Sequence, residues 1–309
     1  MKVCLVEQNE GATEVSGRSG AHLQLINKVA LVTGVSSGIG QEIARLLAEH
    51  GARVFGTVRN HQPPNAIAGV QLVRMDVTNE PSVANAVQSV LEQAGAIHVL
   101  VNNAGYALAG GLEETSIQEA QQQFDTNFFG VLRVSQAVLP VMRRQGYGRI
   151  VNISSMNGLL PAPYRGIYAA SKHALEGYTE TLDHEVRQFG IRAVLIEPVF
   201  TKTDISRNER STQIRLEAYA DQRRRVEEVI YLSTVDGDEP RAVAKVVYRA
   251  LTTASPRLHY PVGEGIMLSR MRRFVPPRLF DRVFRRRYQL DTNSKNENRK
   301  NGNQDYYED

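Results

Sequence analysis

Four consecutive apolar residues, Val29-Ala30-Leu31-Val32, run directly into Thr33-Gly34-Val35-Ser36-Ser37-Gly38-Ile39-Gly40, and a helical pattern through Ile43, Leu46 and Leu47 follows. A short unbroken apolar run marks a strand buried on both faces. Glycines after such a strand let the backbone turn tightly and approach a pyrophosphate. The free N–H groups and positive dipole end of the next helix then receive the negative charge. The spacing Gly34-x-x-x-Gly38-x-Gly40 departs from the usual dinucleotide fingerprint, so the inference rests on the strand before it and the helix after it. Gly34, Ser36, Ser37, Gly38, Ile39 and Gly40 are the candidate phosphate-binding turn.

The same alternation continues along the chain. Strands are predicted at Arg53 to Arg59, Val70 to Val77, Val99 to Val101, Arg149 to Ile153, Ile191 to Ile196 and Arg257 to Val262. Helical patterns run from Ser116 to Gly146, through Tyr168, and from Pro240 to Thr252. Strands separated by helices imply right-handed crossovers, hence a single-domain α/β Rossmann-type doubly wound parallel sheet with helices on both faces. Ligands of such sheets bind at the carboxyl ends of the strands. The chain of 309 residues, 42% apolar, can bury a full core. Residues 1–26 read as a flexible leader, 27–265 as the catalytic domain and 199–232 as a polar, Arg-rich substrate lid. Residues 266–290 read as a basic amphipathic extension and 291–309 as a disordered tail.

The strand ends carry the candidate chemistry. Arg59, with no acid in the strand before it, suits a ribose 2'-phosphate better than a free hydroxyl, so NADP(H) is preferred to NAD(H) and Ser37 is a second phosphate contact. Asp76 is placed for an amide or adenine contact, or caps the next helix. Asn103, Ala104 and Gly105 let a cofactor pass close to the backbone, or form a plain turn. Asn127, among apolar neighbours in a helical pattern, is a weak helix former there, and is either functional or a satisfied core amide. Tyr168 and Lys172, four residues apart, share one helix face, so the ammonium is expected to move the phenol towards a working pKa.

Composition excludes several classes. Cys4 is the sole cysteine, which excludes an internal disulfide, leaves no thiol cluster for a metal and points to a reducing, cytoplasmic setting. No apolar run spans a membrane, and the opening residues turn acidic too soon for a secretory signal. The net charge of +4 reflects basic clusters near 207–225 and 270–287 that lack nucleic-acid-binding motifs. The segment from Met267 to Leu290 allows two readings: its apolar residues, including Leu268, Met271, Phe274, Leu279, Phe280, Val283 and Phe284, pack over the cleft, or the segment makes peripheral contact with an anionic membrane. Packing is favoured because Pro276-Pro277 breaks the helix.

With these residues assembled, the sequence resembles the short-chain dehydrogenase/reductase family from about Lys28 to Val262. The resemblance is carried by Thr33-Gly34-x-x-x-Gly38-Ile39-Gly40, Asn102-Asn103-Ala104-Gly105, Asn127, the Ser155/Tyr168/Lys172 spacing, and Pro198 with Thr203. It implies that Ser155, Tyr168 and Lys172 are catalytic, that Asn127 completes a proton relay, and that Tyr168, Lys172, Pro198, Thr201 and Thr203 meet the nicotinamide end of the cofactor. Val199 stands where the family commonly has glycine, which changes the detail of those last contacts. The implied activity is carbonyl–alcohol interconversion. Arg59 and the C-terminal extension look most like the hydroxysteroid and retinol dehydrogenase branch, which implies a steroid-, retinoid- or lipid-like substrate and a homodimer or homotetramer. Leu108, Leu112, Leu159 and Leu160 are candidate apolar pocket residues. Two alternatives stand beside this: a 3-oxoacyl reductase whose Arg-rich lid receives an acidic carrier or coenzyme A, and an NADPH-binding regulator without turnover.

Overall fold

The computed structural model describes residues 24–59, 66–202, 209–263 and 274–291. The first six strands in sequence that join the main sheet are β1 (Val29–Val32), β2 (Arg53–Val58), β3 (Val70–Arg74), β4 (Val99–Asn102), β6 (Gly148–Ile153) and β7 (Ile191–Glu197). With β9 (His259–Pro261) they form a seven-stranded sheet in the order β3-β2-β1-β4-β6-β7-β9. Every pairing in it is parallel. The order reverses between β1 and β4, which opens the crevice where ligands of such sheets bind. A second, two-stranded ladder joins β5 (Ala107–Ala109) to β8 (Glu209–Ser211).

Successive strand residues point to opposite faces, and both faces are apolar. Ala30, Val32, Val99 and Val101 pack on one side with Ile43 and Leu47 of α1 (Gly38–Glu49) and Val243 and Val247 of α7 (Pro240–Thr252). Val29, Leu31 and Leu100 pack on the other with Val83 and Val87 of α2 (Glu80–Ala94), Val134 and Val138 of α4 (Gly130–Gln145), and Leu182 of α5 (Gly166–Val186). Covering both faces explains why the strands read as unbroken apolar runs.

Local chemistry sets the helix ends. Asn79 caps α2 by accepting from Ser82 N at 2.8 Å, with Pro81 in the first turn. Asp76 therefore does not cap that helix; β3 ends at Arg74, and Asp76 Oδ1 accepts from the Thr78 amide at 3.0 Å and its hydroxyl at 2.7 Å. Ser116 and Glu119 form a capping box on α3 (Ile117–Phe124).

The single helix predicted from Ser116 is divided. Asp125–Phe129 is a π-helical turn between α3 and α4, and Asn127 lies within it. The last two helices are α6 (Ala220–Val235) and α8 (Pro277–Arg287). Pro276 and Pro277 start α8 rather than break it, in line with proline's preference for a first helical turn. No helix among the described residues is long and apolar enough to cross a membrane.

Candidate active site

One cleft runs along the carboxyl ends of β1, β2, β4, β6 and β7. Its cofactor side is lined by Gly34, Ser36, Ser37, Gly38, Ile39 and Gly40, with Arg59 and Asp76 at one end and Asn103, Ala104 and Gly105 across from them. The turn is held by side chains that reach across the sheet. Thr33 Oγ1 accepts from the amides of Asn103 at 2.9 Å and Ala104 at 3.0 Å. Asn103 Nδ2 returns to the carbonyls of Thr33 at 3.0 Å and Gly34 at 2.9 Å. This close approach explains two of the glycines. Gly34 has φ +70°, and a Cβ on Gly40 would lie 2.2 Å from the Gly34 oxygen and 2.3 Å from Asn103 Nδ2.

The donor set suits an anionic cofactor. Ser37 caps α1 without turning its hydroxyl back on the helix, leaving that hydroxyl and the first N–H groups to face the cleft. Arg59 adds a cation at the β2 end, near enough to Asp76 to help hold its carboxyl below the usual range. Burial opposes that lowering most strongly, and the two Thr78 hydrogen bonds outweigh it.

The other half of the cleft gathers Asn127, Ser155, Tyr168, Lys172, Pro198 and Thr201. Thr203 lies outside the described residues. Ser155 is buried just past the end of β6, where its hydroxyl accepts from Asn157 N at 3.2 Å and donates to the Pro198 carbonyl at 3.5 Å, with the Tyr168 phenol beside it. The Lys172 ammonium is 5.9 Å from the Tyr168 ring centre and donates to the Ile153 carbonyl at 2.8 Å. These positions follow from β6 running into the cleft and α5 packing alongside it.

The electrostatics differ from the sequence expectation. Burial raises the Tyr168 phenol above its usual value, against the lowering effect of the neighbouring Ser155 hydroxyl and of Arg165. Burial likewise lowers the Lys172 ammonium to about 8, with Glu176 opposing. Proximity at i and i+4 puts the two groups together. Desolvation then decides the direction of both shifts.

Asn127 also differs in detail. Its amide is buried and fully engaged, accepting from Tyr106 N at 3.1 Å and donating to Tyr106 O at 2.9 Å, so it clamps the loop after β4. The π-helical turn around it widens the backbone ladder, a feature common at functional sites.

Several site features carry no motif. Arg165, buried three residues before Tyr168, lines the cleft and pairs with Glu209 of β8 at 2.8 Å. Behind Lys172, Glu176 is buried beside Glu197 and His259; His259 Nδ1 donates to Glu197 Oε1 at 2.6 Å and lies 3.6 Å from Glu176 Oε2. Glu176 also receives the Ser154 hydroxyl, next in the chain to Ser155. Burial, then repulsion from Glu197, pushes the Glu176 carboxyl up to about 8, while the hydrogen bond to Glu197 raises His259. These residues meet only through packing of α5, β7 and β9. Of the four candidate pocket leucines, Leu160 lines an apolar annex of the cleft, Leu108 is buried in the small ladder, Leu159 is half-buried and Leu112 is exposed.

Residues 28–214 match the family model described as short chain dehydrogenase. The chain belongs to the short-chain dehydrogenase family. Its members include a 3-ketodihydrosphingosine reductase of Bacteroides thetaiotaomicron, 35% identical over 262 residues that cover 84% of this chain and 97% of the relative. An uncharacterized oxidoreductase of Bacillus subtilis is 34% identical, covering 81% of this chain and 94% of its own. Among solved structures, a short-chain dehydrogenase of Streptomyces avermitilis superposes with TM-score 0.74 at 31% identity, over 80% of this chain and 92% of the other. A short-chain dehydrogenase/reductase of Burkholderia phymatum in complex with NAD gives 0.70 at 30% identity, over 81% and 94%. The parallel sheet and its crevice are thus those of an oxidoreductase family acting on carbonyl and alcohol groups.

Proposed function

We propose that this chain reduces the ketone of a long-chain, lipid-like substrate with NADP(H), using Tyr168 as the proton donor. The observation that carries the reading is that Ser155 and Tyr168 line one polar cleft whose wall is shared with an apolar annex. Asn157, Val199 and Phe200 line both spaces. The name of the Bacteroides relative supports a 3-keto sphingoid lipid among the steroid-, retinoid- and lipid-like candidates.

The reduced nicotinamide, when bound, supplies the hydride. Tyr168 is protonated at neutral pH because burial raises its pKa, so it holds the proton that the substrate oxygen needs. Ser155 donates to that same oxygen as charge develops. Lys172 places a cation beneath the tyrosine, and Asn127 fixes the loop across the cleft. Residues 199–232 act as a lid, with α6 contributing Ile230 to the cleft wall. Arg59 selects the 2'-phosphate. Copies pair through the long Ser116 and Tyr168 helices; the first stretch exposes Ile117 in α3 and Phe129 in the π-helical turn.

The carrier-linked 3-oxoacyl reading is weaker because several arginines of the proposed lid are paired internally. Arg223 is paired to Glu114, Arg224 to Asp221 at 3.1 Å and Arg215 to Glu227 at 3.6 Å. The test is NADPH and NADH oxidation with 3-ketodihydrosphingosine, short soluble ketones and a 3-oxoacyl thioester. Tyr168→Phe should lower kcat by about 10²- to 10⁴-fold while cofactor affinity holds. Wild-type turnover in that variant would reject the assignment.

A further inference from the structure

We propose that α8 seats the mouth of the cleft on an anionic phospholipid surface, from which the substrate enters. Helix α8, Pro-Arg-Leu-Phe-Asp-Arg-Val-Phe-Arg-Arg-Arg, carries five arginines against one aspartate. Its apolar residues fall in one sector at 100° per residue, and packing divides that sector in two. Phe280 and Phe284, stacked 5.9 Å apart, turn inward with Tyr288 and cover the annex formed by Met156, Leu160 and Phe200. Leu279 stays 49% exposed and Val283, at the rim, 48% exposed; Phe274, just ahead of the helix, is 78% exposed.

The exposed half of the sector borders Arg282 and Arg286, with Arg278 and Arg285 farther round. Among the described residues, Arg278, Arg282 and Arg286 form no ion pair, whereas Arg285 is held by Asp291 at 2.7 Å. A helix with exposed aliphatic side chains flanked by guanidinium groups matches an acyl–headgroup boundary: the apolar edge enters the acyl layer and the arginines meet phosphate. Anionic lipid is the fitting occupant because this surface combines unpaired cations with unpaired apolar area. An acidic protein would use the first and leave the second exposed.

The arrangement also explains why one helix both roofs the annex and faces outward. A lipid ketone would pass from the layer under Phe280 and Phe284 to Tyr168. The inference rests on the lipid-ketone reading for its purpose, but binding can be measured without turnover.

The experiment is co-sedimentation of the full-length protein with vesicles of phosphatidylcholine alone and of phosphatidylcholine mixed with phosphatidylglycerol. Binding to the mixed vesicles only, weakened by salt, is expected. Each arginine at such a surface strengthens partition about fivefold, so Arg282→Glu with Arg286→Glu should lose at least 25-fold. Leu279→Ser should also weaken binding. All three changes lie on exposed positions, so turnover of a short water-soluble ketone should be retained, while turnover of the vesicle-embedded ketone falls. Absence of binding to anionic vesicles, or unchanged binding in both variants, would overturn the proposal. So would capture of an acidic carrier protein by α8 in place of vesicles. Vesicle binding without any ketone turnover would instead leave α8 as assigned and reject the substrate reading.

Discussion

Arg223→Met should detach the proposed lid while sparing the sheet. Glu114, in the loop after β5, has a fully buried side chain, and Arg223 of α6 is nearly as enclosed. The carboxylate also accepts from Gly111 N and Leu216 N, both at 2.8 Å. Those hydrogen bonds and the guanidinium hold its pKa below the usual range despite burial, which is the largest opposing effect. Removing the arginine leaves a buried carboxylate with two backbone donors and no countercharge, a loss of about 3–5 kcal/mol. The rest of the docking is small: Val226 and Ile230 of α6 pack with Ala162 and Tyr288, apart from the two main cores. The loss should therefore open α6 and β8 locally. Expected results are faster amide exchange over residues 209–235, a KM for ketone raised at least tenfold, and an unchanged cofactor Kd. The double variant Glu114→Gln/Arg223→Met should recover part of the loss, because the neutral amide removes the stranded charge and keeps an acceptor for one of the two backbone donors. A single variant that costs under about 1 kcal/mol, or a double variant as damaged as the single, would refute this account.

Glu176→Gln tests the carboxylate cluster behind Lys172, where Glu180, Glu197 and His259 also face the side chain. The folded carboxyl titrates near 8 against 4.5 for the ordinary group, so its contribution is full below 4.5 and is lost as pH rises towards 8. His259, raised from 6.5, has the same sign and loses its contribution as pH rises through its folded value. Denaturant titrations should show the variant gaining on wild type between those limits, roughly 1 kcal/mol per unit of pKa shift removed; a gap that narrows with rising pH would refute this. Arg59→Glu should shift the NADPH to NADH preference towards NADH by about 10- to 100-fold, the worth of a charge-assisted phosphate contact, measured by kcat/KM with each cofactor. An unchanged ratio would remove Arg59 from phosphate recognition.

The parts of this molecule legible in the sequence are those where one physical requirement acts on neighbouring residues. Val29-Ala30-Leu31-Val32 is apolar throughout because both faces of β1 are covered. The glycines after it report a turn too tight for a Cβ at Gly40. Strand identity then placed the cleft. The features that were not legible depend on distant segments. Arg165 meets Glu209, and Glu176 meets His259, only after the chain has crossed the sheet. The apolar stripe of α8 was visible as a stripe, but which half faces the annex is set by Met156 and Phe200, elsewhere in the chain. The π-helical turn was signalled only by Asn127 standing where a helix disfavours it.

The reversed titration of Tyr168 leads to a prediction about reaction direction. Reduction needs Tyr168 with its proton and oxidation needs it without, and burial favours the protonated form. Reductive kcat/KM should therefore stay level through neutrality and fall only as Lys172 loses its charge near 8. Oxidative kcat/KM should rise with pH over the same range, because the deprotonated phenol becomes less scarce. Lys172→Arg keeps a cation that does not titrate there, so in that variant the reductive fall near 8 should disappear even if the overall rate is lower. Rates for both directions, measured from pH 6 to 10 with a soluble ketone and its alcohol, would decide the matter. A reductive rate that climbs with pH would mean that Tyr168 is not the proton donor, and the roles of Tyr168 and Ser155 would have to be reassigned.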